Sequence, residues 1–298
     1  MNKKNGRIWA GVIIVCLFFL VWTACSYYRC GTNAENVNVG VKANDTLVVA
    51  ELKQSYETGT EVQTGMGDTA VQAGLKDIME IIAYGDAKRL ALISMYPIRR
   101  KYPLKDITNE NHMQEYFDTM FDERFRRMIR KCNLGDWSEA GWRGYVFQNG
   151  LLWVSDNMLY TVNYMSAKEK RLYKKLVRQE KRSLHHSLHN DGWEPYNCMR
   201  DVNTGAILRI ECNGEIYRMS IYDKGMHADD KPSQIIYGTR EIQGSMAVEC
   251  YVFGNKDATY SFDSLNDDKL YIETDGNTVQ HKREKCYWLD CMAHEMIQ

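Results

Sequence analysis

The chain has 298 residues, of which 44% are hydrophobic and 26% are charged, and this balance is enough to bury a globular core. The formal net charge of −1 excludes an overall electrostatic field that would attract nucleic acid or another acidic polymer. About 270 residues follow the N-terminal segment described next, a length that indicates two small domains or one large one.

The chain opens with the basic residues Lys3, Lys4 and Arg7, then an uncharged run over residues 8–24, and then Cys25. The run has 17 residues, whereas a membrane-spanning helix needs about 20. A basic start, an apolar middle and small residues at the end are typical of a secretory signal. We therefore predict that residues 1–25 export the protein or anchor it in a membrane.

Residues 21–25 resemble a bacterial lipobox, in which an aliphatic residue, two small residues and a cysteine direct lipid attachment to the cysteine thiol. Trp22 stands where a lipobox has its aliphatic residue, and Val21 lies one position too early. The resemblance implies a lipoprotein with lipid attached to Cys25.

The alternative is an uncleaved transmembrane anchor, with Trp9 and Trp22 at the two membrane interfaces and the basic end inside the cell. Both alternatives place residues 26–298 outside the inner membrane, tethered in the cell envelope. A membrane is thus the first expected partner, and nucleic acid is not expected.

Apart from Cys16 and Cys25, seven cysteines remain, and an odd number leaves at least one thiol free or paired between chains. An exported location permits disulfides, but spacing alone does not decide between Cys286 with Cys291, Cys212 with Cys250, and reduced buried thiols. The seven are Cys30, Cys132, Cys198, Cys212, Cys250, Cys286 and Cys291.

Residues 26–67 are mostly polar, and we predict a flexible tether there. An α+β domain is expected over residues 68–190, a linker over 191–204, a β-rich domain over 205–291 and a short tail over 292–298. The predicted fold class is therefore α+β, with helices on a curved antiparallel sheet followed by an all-β sandwich or small barrel.

Within residues 68–190, apolar residues at helical spacing predict a first helix that Gly85-Asp86 ends and restarts. Asn109 is expected to cap a third helix that runs to about Lys131. Asn149-Gly150 is a favoured hairpin turn between two predicted strands. Ser166 is expected to cap a fourth, basic helix, whose apolar stripe is Leu172, Tyr173, Leu176 and Val177.

From residue 205 onward, short strands alternate with turn residues such as Asn213-Gly214 and Asp275-Gly276. Regular short strands with this punctuation are typical of an antiparallel sandwich or barrel.

The order of motifs over residues 68–182 resembles the helix-rich SnoaL-type domains of the cystatin-like, nuclear-transport-factor-like superfamily. The resemblance implies helices packed into the concave side of a curved sheet. That superfamily includes enzymes, binding modules and interaction domains, so the resemblance implies no function. The motifs are Ile81-Ile82-Ala83-Tyr84-Gly85-Asp86, Tyr96-Pro97, Phe117, Phe121-Asp122 and Gly141-Trp142-Arg143-Gly144.

The densest group of candidate ligand-binding residues comprises Asp136, Trp137, Glu139, Trp142 and Arg143. Aromatic walls with a few polar groups suit a small ligand or a sugar. The alternative is a structural corner in which the two indoles pack into the core and Arg143 pairs with a carboxylate.

His185, His186 and His189 could present two imidazoles on one helical face, as metal ligands do, but no glutamate lies between them to act as a base. A solvated helix end is the alternative, and we expect no metal and no cofactor.

The chain lacks a nucleophile elbow, a phosphate-binding loop and a paired-cysteine redox motif. These observations favour a non-catalytic envelope lipoprotein that binds a small molecule or a protein. The first alternative is an envelope hydrolase that uses Asp136 and Glu139, with His112 as a further candidate. The second is an immunity or inhibitor protein against a secreted toxin or lytic enzyme.

Overall fold

The computed structural model describes residues 69–244 and 247–293, and all of them belong to one of the two units into which the chain divides, Glu61–Gln298. The predictions for the signal or anchor, for Cys25 and for the tether up to residue 67 lie outside the described residues, as do residues 294–298 of the predicted tail. No helix in the described part has both the length and the hydrophobicity that crossing a bilayer requires.

Four helices and a four-stranded antiparallel sheet form the first part of the described chain. The helices are α1 (Thr69–Tyr84), α2 (Ala87–Leu92), α3 (Glu110–Met120) and α4 (Glu123–Ile129). The sheet has the order β1 (Trp137–Glu139), β2 (Tyr145–Phe147), β3 (Leu152–Ser155) and β4 (Met158–Val162). Buried residues of α1 recur at three-and-four spacing, and they share one core with the sheet.

Local capping explains where these elements begin and end. As predicted, Asn109 caps α3 by accepting a hydrogen bond from the His112 amide at 2.9 Å. Asn149 and Gly150 lie in the β2–β3 connection, both with positive φ, as a tight turn requires. The predicted single helix from Asn109 to Lys131 is instead two helices, because Asp122 interrupts it and caps α4.

The Asp122 carboxylate holds three segments together. It accepts hydrogen bonds from the Phe125 amide at 3.0 Å, from the Tyr164 hydroxyl at 2.8 Å and from the Ala167 amide at 3.2 Å. Partial burial opposes ionisation, but these hydrogen bonds outweigh it and lower the pKa of Asp122.

We expect Asp122→Ala to lower the free energy of unfolding by about 1–2 kcal/mol, because α4 loses its cap. The lowered pKa means that the stabilisation is complete above the unfolded-state pKa of about 3.9 and is lost as pH falls through the folded-state pKa. Urea unfolding of wild type and variant at several pH values measures both effects. Asp118→Ala is the control, since this exposed carboxylate pairs with the partly exposed Arg126; an equal loss in the control would contradict the expectation.

Eight antiparallel strands, each paired with the next along the chain, form a closed barrel in the second part. Of the two predicted alternatives, a sandwich or a barrel, the barrel is therefore confirmed. The strands are β5 (Glu194–Asp201), β6 (Ile207–Asn213), β7 (Ile216–Tyr222), β8 (Gln234–Gln243), β9 (Val248–Gly254), β10 (Thr259–Asp263), β11 (Lys269–Thr274) and β12 (Asn277–Lys285).

The segment predicted as a linker, residues 191–204, instead carries β5, which pairs with β6 and β12 and closes the barrel. An irregularity between Pro195 and Asn197 disturbs the two-residue alternation by which a strand is recognised in a sequence. The last strand ends at Lys285, and within the predicted β-rich domain Trp288 begins a helix, α6 (Trp288–Ala293).

Helices α5 (Ala167–Ser183) and α6 pack against the outer face of the barrel. Ser166 caps α5 as predicted, accepting a hydrogen bond from the Glu169 amide at 3.0 Å. The expected apolar stripe of α5 is only half-buried, and the buried residues of the helix are Glu169 and Glu180. This difference arises because each glutamate pairs with a buried arginine from outside the helix.

Candidate functional site

Asp136, the first of the predicted site residues, has its carboxylate held by hydrogen bonds from nearby residues. Its carboxylate accepts hydrogen bonds from the Asn133 amide at 2.9 Å and from the Gln148 side chain at 3.1 Å. The bond from Asn133, followed by that from Gln148, lowers the pKa of Asp136. The carboxylate thus caps the short turn Leu134–Asp136.

The two predicted indoles point to different environments. Trp137 is 2% exposed and packs against Phe147, while its ring nitrogen donates to the Met79 sulfur at 3.2 Å. Trp142 is 75% exposed and contacts the Arg143 guanidinium, whose central carbon lies 5.2 Å from the ring centre. Glu139 is also exposed. The structure therefore does not join the two indoles into the walls of one pocket.

The histidine cluster follows α5 in a short turn, His186–Leu188. The His185 ring accepts a hydrogen bond from the Ser187 amide at 3.2 Å, and the His189 ring lies 2.9 Å from the Leu184 carbonyl oxygen. Partial desolvation and the neighbouring His186 lower the pKa of His185. Among the described residues, no group of three or more His, Cys, Asp or Glu is arranged to hold a metal ion. His112 of α3 packs edge-on against Tyr116.

Three tyrosines from alternate strands of the barrel meet at one of its ends, which we call the barrel mouth. Tyr196 lies near the start of β5, Tyr217 near the start of β7 and Tyr251 in the middle of β9, two residues after Glu249 at the start of that strand. The ring of Tyr196 meets Tyr217 edge-on at 5.0 Å between centroids, and Tyr217 meets Tyr251 edge-on at 5.8 Å. All three pack in the apolar cluster to which alternate positions of the strands contribute.

A carboxylate and a guanidinium complete the barrel mouth. The Tyr251 hydroxyl donates to Glu249 at 2.5 Å and is also hydrogen-bonded to the Tyr196 hydroxyl. Arg240, on the neighbouring strand β8, donates to the other oxygen of Glu249 at 2.9 Å. The side chains of Arg240 and Glu249 are 34% and 35% exposed, so this polar pair faces solvent above a buried aromatic floor.

The hydroxyls of Tyr217 and Tyr251 stay protonated at neutral pH. Burial, followed by the hydrogen bond to Glu249, raises the pKa of Tyr251, and burial with the neighbouring Tyr196 raises the pKa of Tyr217 to about 12. The mouth therefore offers hydroxyl donors, a carboxylate acceptor and a guanidinium donor within one hydrogen-bonded group.

Gly238 allows β8 to approach β9 closely beside this group. A Cβ atom at this position would lie 2.2 Å from the Val252 carbonyl oxygen and 2.6 Å from the Phe253 ring. Any larger residue would separate the two strands that carry Arg240 and Glu249, so the glycine is a packing requirement of the mouth.

No protein-family model, curated protein or solved structure matches the chain. The functional argument therefore rests on the residues of this chain. The sequence does not predict the barrel-mouth site, because its residues are dispersed among separate strands. The two-residue spacing of Glu249, Tyr251 and Phe253 is the one local signal that could have indicated them.

The exposed surface of α5 forms a second candidate site, which we call the basic face. The helix has eight basic residues and two acidic ones, and both acidic residues, Glu169 and Glu180, are buried and paired. Every charge that the helix itself presents to solvent is therefore positive. A groove of about 300 Å³ runs beside the helix, lined by Tyr173, Lys174, Val177, Arg178 and Glu194. The basic residues are Lys168, Lys170, Arg171, Lys174, Lys175, Arg178, Lys181 and Arg182.

Proposed function

We propose that the protein is an envelope-tethered binding module, attached through its N-terminal segment by a lipid on Cys25 or by an uncleaved anchor, and that it binds a small ligand at the barrel mouth. The observation that carries the proposal is the hydrogen-bonded group of Tyr196, Tyr251, Glu249 and Arg240 at the solvent-facing end of the barrel. An eight-stranded barrel has an interior that side chains fill or that holds one small ligand.

The chemistry of the mouth suits a polyhydroxylated ligand such as an oligosaccharide. Aromatic rings pack against the apolar faces of a sugar ring, and hydroxyl groups both donate and accept hydrogen bonds. The partly exposed Glu249 carboxylate would accept hydrogen bonds from such hydroxyls, and Arg240 would donate to them. The barrel mouth therefore replaces the 136–143 loop as the proposed binding site.

Thermal unfolding of the full chain with a panel of soluble oligosaccharides tests the proposal. A ligand at about 100 times its Kd stabilises the folded state by about 2.7 kcal/mol. For a body of this size, we expect Tm to rise by about 5–10 °C.

We expect Glu249→Gln and Tyr251→Phe each to weaken binding at least about tenfold, because the first removes the negative charge of the acceptor and the second removes a hydroxyl group that is hydrogen-bonded to it. The first matched control is Glu241→Gln, because Glu241 is an exposed carboxylate on β8, the strand that carries Arg240. Tyr260→Phe, near the start of β10 and hence at the opposite end of the barrel, is the second. Wild-type affinity in the Glu249 and Tyr251 variants, or no stabilisation by any oligosaccharide, would overturn the proposal.

The proposal for the first part of the chain is a SnoaL-type arrangement, with α1–α4 packed on a curved sheet. The four-stranded antiparallel sheet and the shared core support it. The two alternative functions, a hydrolase that uses Asp136 and Glu139 and an immunity protein, receive no support from the contacts described above.

A second surface supports the membrane part of the proposal. The basic face carries only positive charge, and anionic lipid headgroups attract such a surface by about 1 kcal/mol for each lysine or arginine close to it. The half-buried side chains of Leu172 and Tyr173 place apolar surface beside these charges. We therefore propose that α5 contacts the anionic membrane to which the protein is tethered.

Vesicle co-sedimentation of residues 26–298 tests this contact. The combined change of Lys174, Lys175 and Arg178 to glutamate is expected to lower affinity for anionic vesicles by about 100-fold or more, because at least three favourable charges are lost. The matched control changes Lys224, Lys231 and Lys256, three exposed barrel lysines, in the same way. Equal losses in both triple variants would show a nonspecific charge effect and would contradict a contact through α5.

A further inference from the structure

Three cysteines meet where β5 and β12 come together beside α6. Cys198 lies on β5 and is fully buried, Cys286 directly follows β12, and Cys291 lies in α6. The sulfur atoms of Cys198 and Cys286 are 3.4 Å apart. The Cys286 thiol is also hydrogen-bonded to that of Cys291. The six cysteines of the described part are all reduced in this structure.

The strand register places Cys198 and Cys286 opposite one another. Lys285 pairs with Met199 in the β12–β5 ladder, and the Cys286 amide continues that ladder by donating to the Cys198 carbonyl oxygen at 3.0 Å. Directly opposite residues of antiparallel strands have Cα atoms about 4.5–5.5 Å apart, a separation that a disulfide spans without backbone movement. The two sulfurs need to approach by about 1.4 Å to reach bonding distance, which side-chain rotation supplies.

We propose that Cys198 and Cys286 form a disulfide in the exported protein and that Cys291 stays a thiol beside it. The proposal depends on the proposed location outside the inner membrane, because disulfides persist in oxidising compartments. The bond would join β5 to the segment that leads into α6, and it would therefore fix the C-terminal helix to the barrel.

The oxidant is a disulfide of low molecular weight or of another protein, of which oxidised glutathione is the simplest example. The half-buried Cys286 reacts first: its thiolate attacks the glutathione disulfide, forms a mixed disulfide and releases one glutathione thiolate. The Cys198 thiolate then attacks the Cys286 sulfur and releases the second glutathione. Two protein thiols thereby lose two protons and two electrons, and one glutathione disulfide becomes two thiols.

The local environment makes this reaction slow at neutral pH. The hydrogen bond with Cys198 raises the pKa of Cys286, and the hydrogen bond with Cys286 raises the pKa of Cys291. Because the thiolate is the reactive form, we expect oxidation by glutathione disulfide to accelerate as pH rises through the alkaline range.

Peptide mapping of the full chain after incubation with oxidised glutathione, alkylation and trypsin digestion tests the proposal. Cleavage after Arg182, Arg200 and Lys285 yields one peptide with Cys198, residues 183–200, and one with both Cys286 and Cys291, residues 286–298. We expect a covalent link between these two peptides that persists in Cys291→Ser and disappears in Cys286→Ser. The same linkage in protein isolated from envelopes without added oxidant tests the location separately from the geometry.

Two results would overturn the proposal. Alkylation of both Cys198 and Cys286 in the oxidised wild-type protein would show that the bond does not form. A link that persists in Cys286→Ser would show that Cys291 is the partner instead. As a second readout that does not need a variant, reduction of the oxidised protein is expected to lower Tm by about 5–15 °C, since the bond closes a long loop.

Discussion

Replacing Arg209 by methionine is expected to lower the free energy of unfolding by about 3–5 kcal/mol. The Arg209 guanidinium lies 3.1 Å from a Glu180 oxygen and 2.7 Å from a Glu211 oxygen, and all three side chains are at most 2% exposed. Glu211 pairs in addition with Arg218, so two arginines balance two glutamates between α5 and the barrel. Removal of Arg209 leaves one negative charge buried without compensation.

Urea unfolding measures this loss against Arg89→Met as the control. Arg89 forms an ion pair with Asp77 at 2.7 Å, but unlike Arg209 its side chain is 51% exposed. An exposed pair of this kind contributes about 0–1 kcal/mol. Equal losses in the two variants would contradict the role that we assign to burial.

A second variant and the pH dependence separate charge imbalance from lost packing. The double variant Arg209→Met with Glu180→Leu keeps the Glu211–Arg218 pair neutral, and we expect it to recover part of the loss.

Burial raises the pKa of Glu180 even beside Arg209. A raised carboxyl pKa means that the folded state binds the proton more tightly, so stability rises as pH falls toward that pKa. The deficit of Arg209→Met is therefore expected to shrink in mildly acidic buffer.

Arg100→Met is expected to cost a similar amount, about 3–5 kcal/mol. The guanidinium of Arg100 donates to both oxygens of Glu169, at 2.9 and 2.6 Å, and Glu169 is fully buried. It also donates to the carbonyl oxygens of Tyr164, at 2.8 Å, and of Val162. Methionine would leave a buried carboxylate and two carbonyl groups without these donors.

Two matched variants test whether stability depends on the arrangement of the Arg100 donors and not on its charge alone. Arg100→Lys keeps the charge but not the planar fork, and we expect it to lose most of the same stability. Arg99→Met removes the adjacent arginine, whose 51% exposed side chain pairs with Asp106 and Asp267, and should cost less than about 1 kcal/mol. Wild-type stability in Arg100→Lys would show that charge alone suffices.

Much of the local structure follows from short-range patterns in the sequence. Asn109 and Ser166 cap helices because a short polar side chain before an apolar repeat has few other roles, and Asn149-Gly150 turns a hairpin because both residues tolerate positive φ. The regular alternation of strands and turns predicted a sandwich or a barrel, although sequence periodicity does not distinguish a closed sheet from an open one.

The errors have a common physical origin, because they depend on partners far apart in the chain. Glu169 and Glu180 look like the solvated acidic residues of a basic helix until Arg100 and Arg209 are placed beside them. The sequence of strand β5 predicts a linker because its pairing with β6 and β12 is not visible in its own residues. Trp137 and Trp142 are close in the sequence and suggest one site, although Trp137 faces the core and Trp142 faces solvent.

The proposed binding at the barrel mouth is tested most directly by NMR titration of the full chain, carrying isotope-labelled tyrosine, with each oligosaccharide of the panel. We predict that the resonances of Tyr196, Tyr217 and Tyr251 shift together on binding while that of Tyr260 stays in place. No shift with any compound would contradict the proposal. The hydroxyl of Tyr160 donates to the Arg143 carbonyl oxygen. A shift centred on Tyr160 would therefore also contradict the proposal, because it would place the binding site at the 136–143 loop.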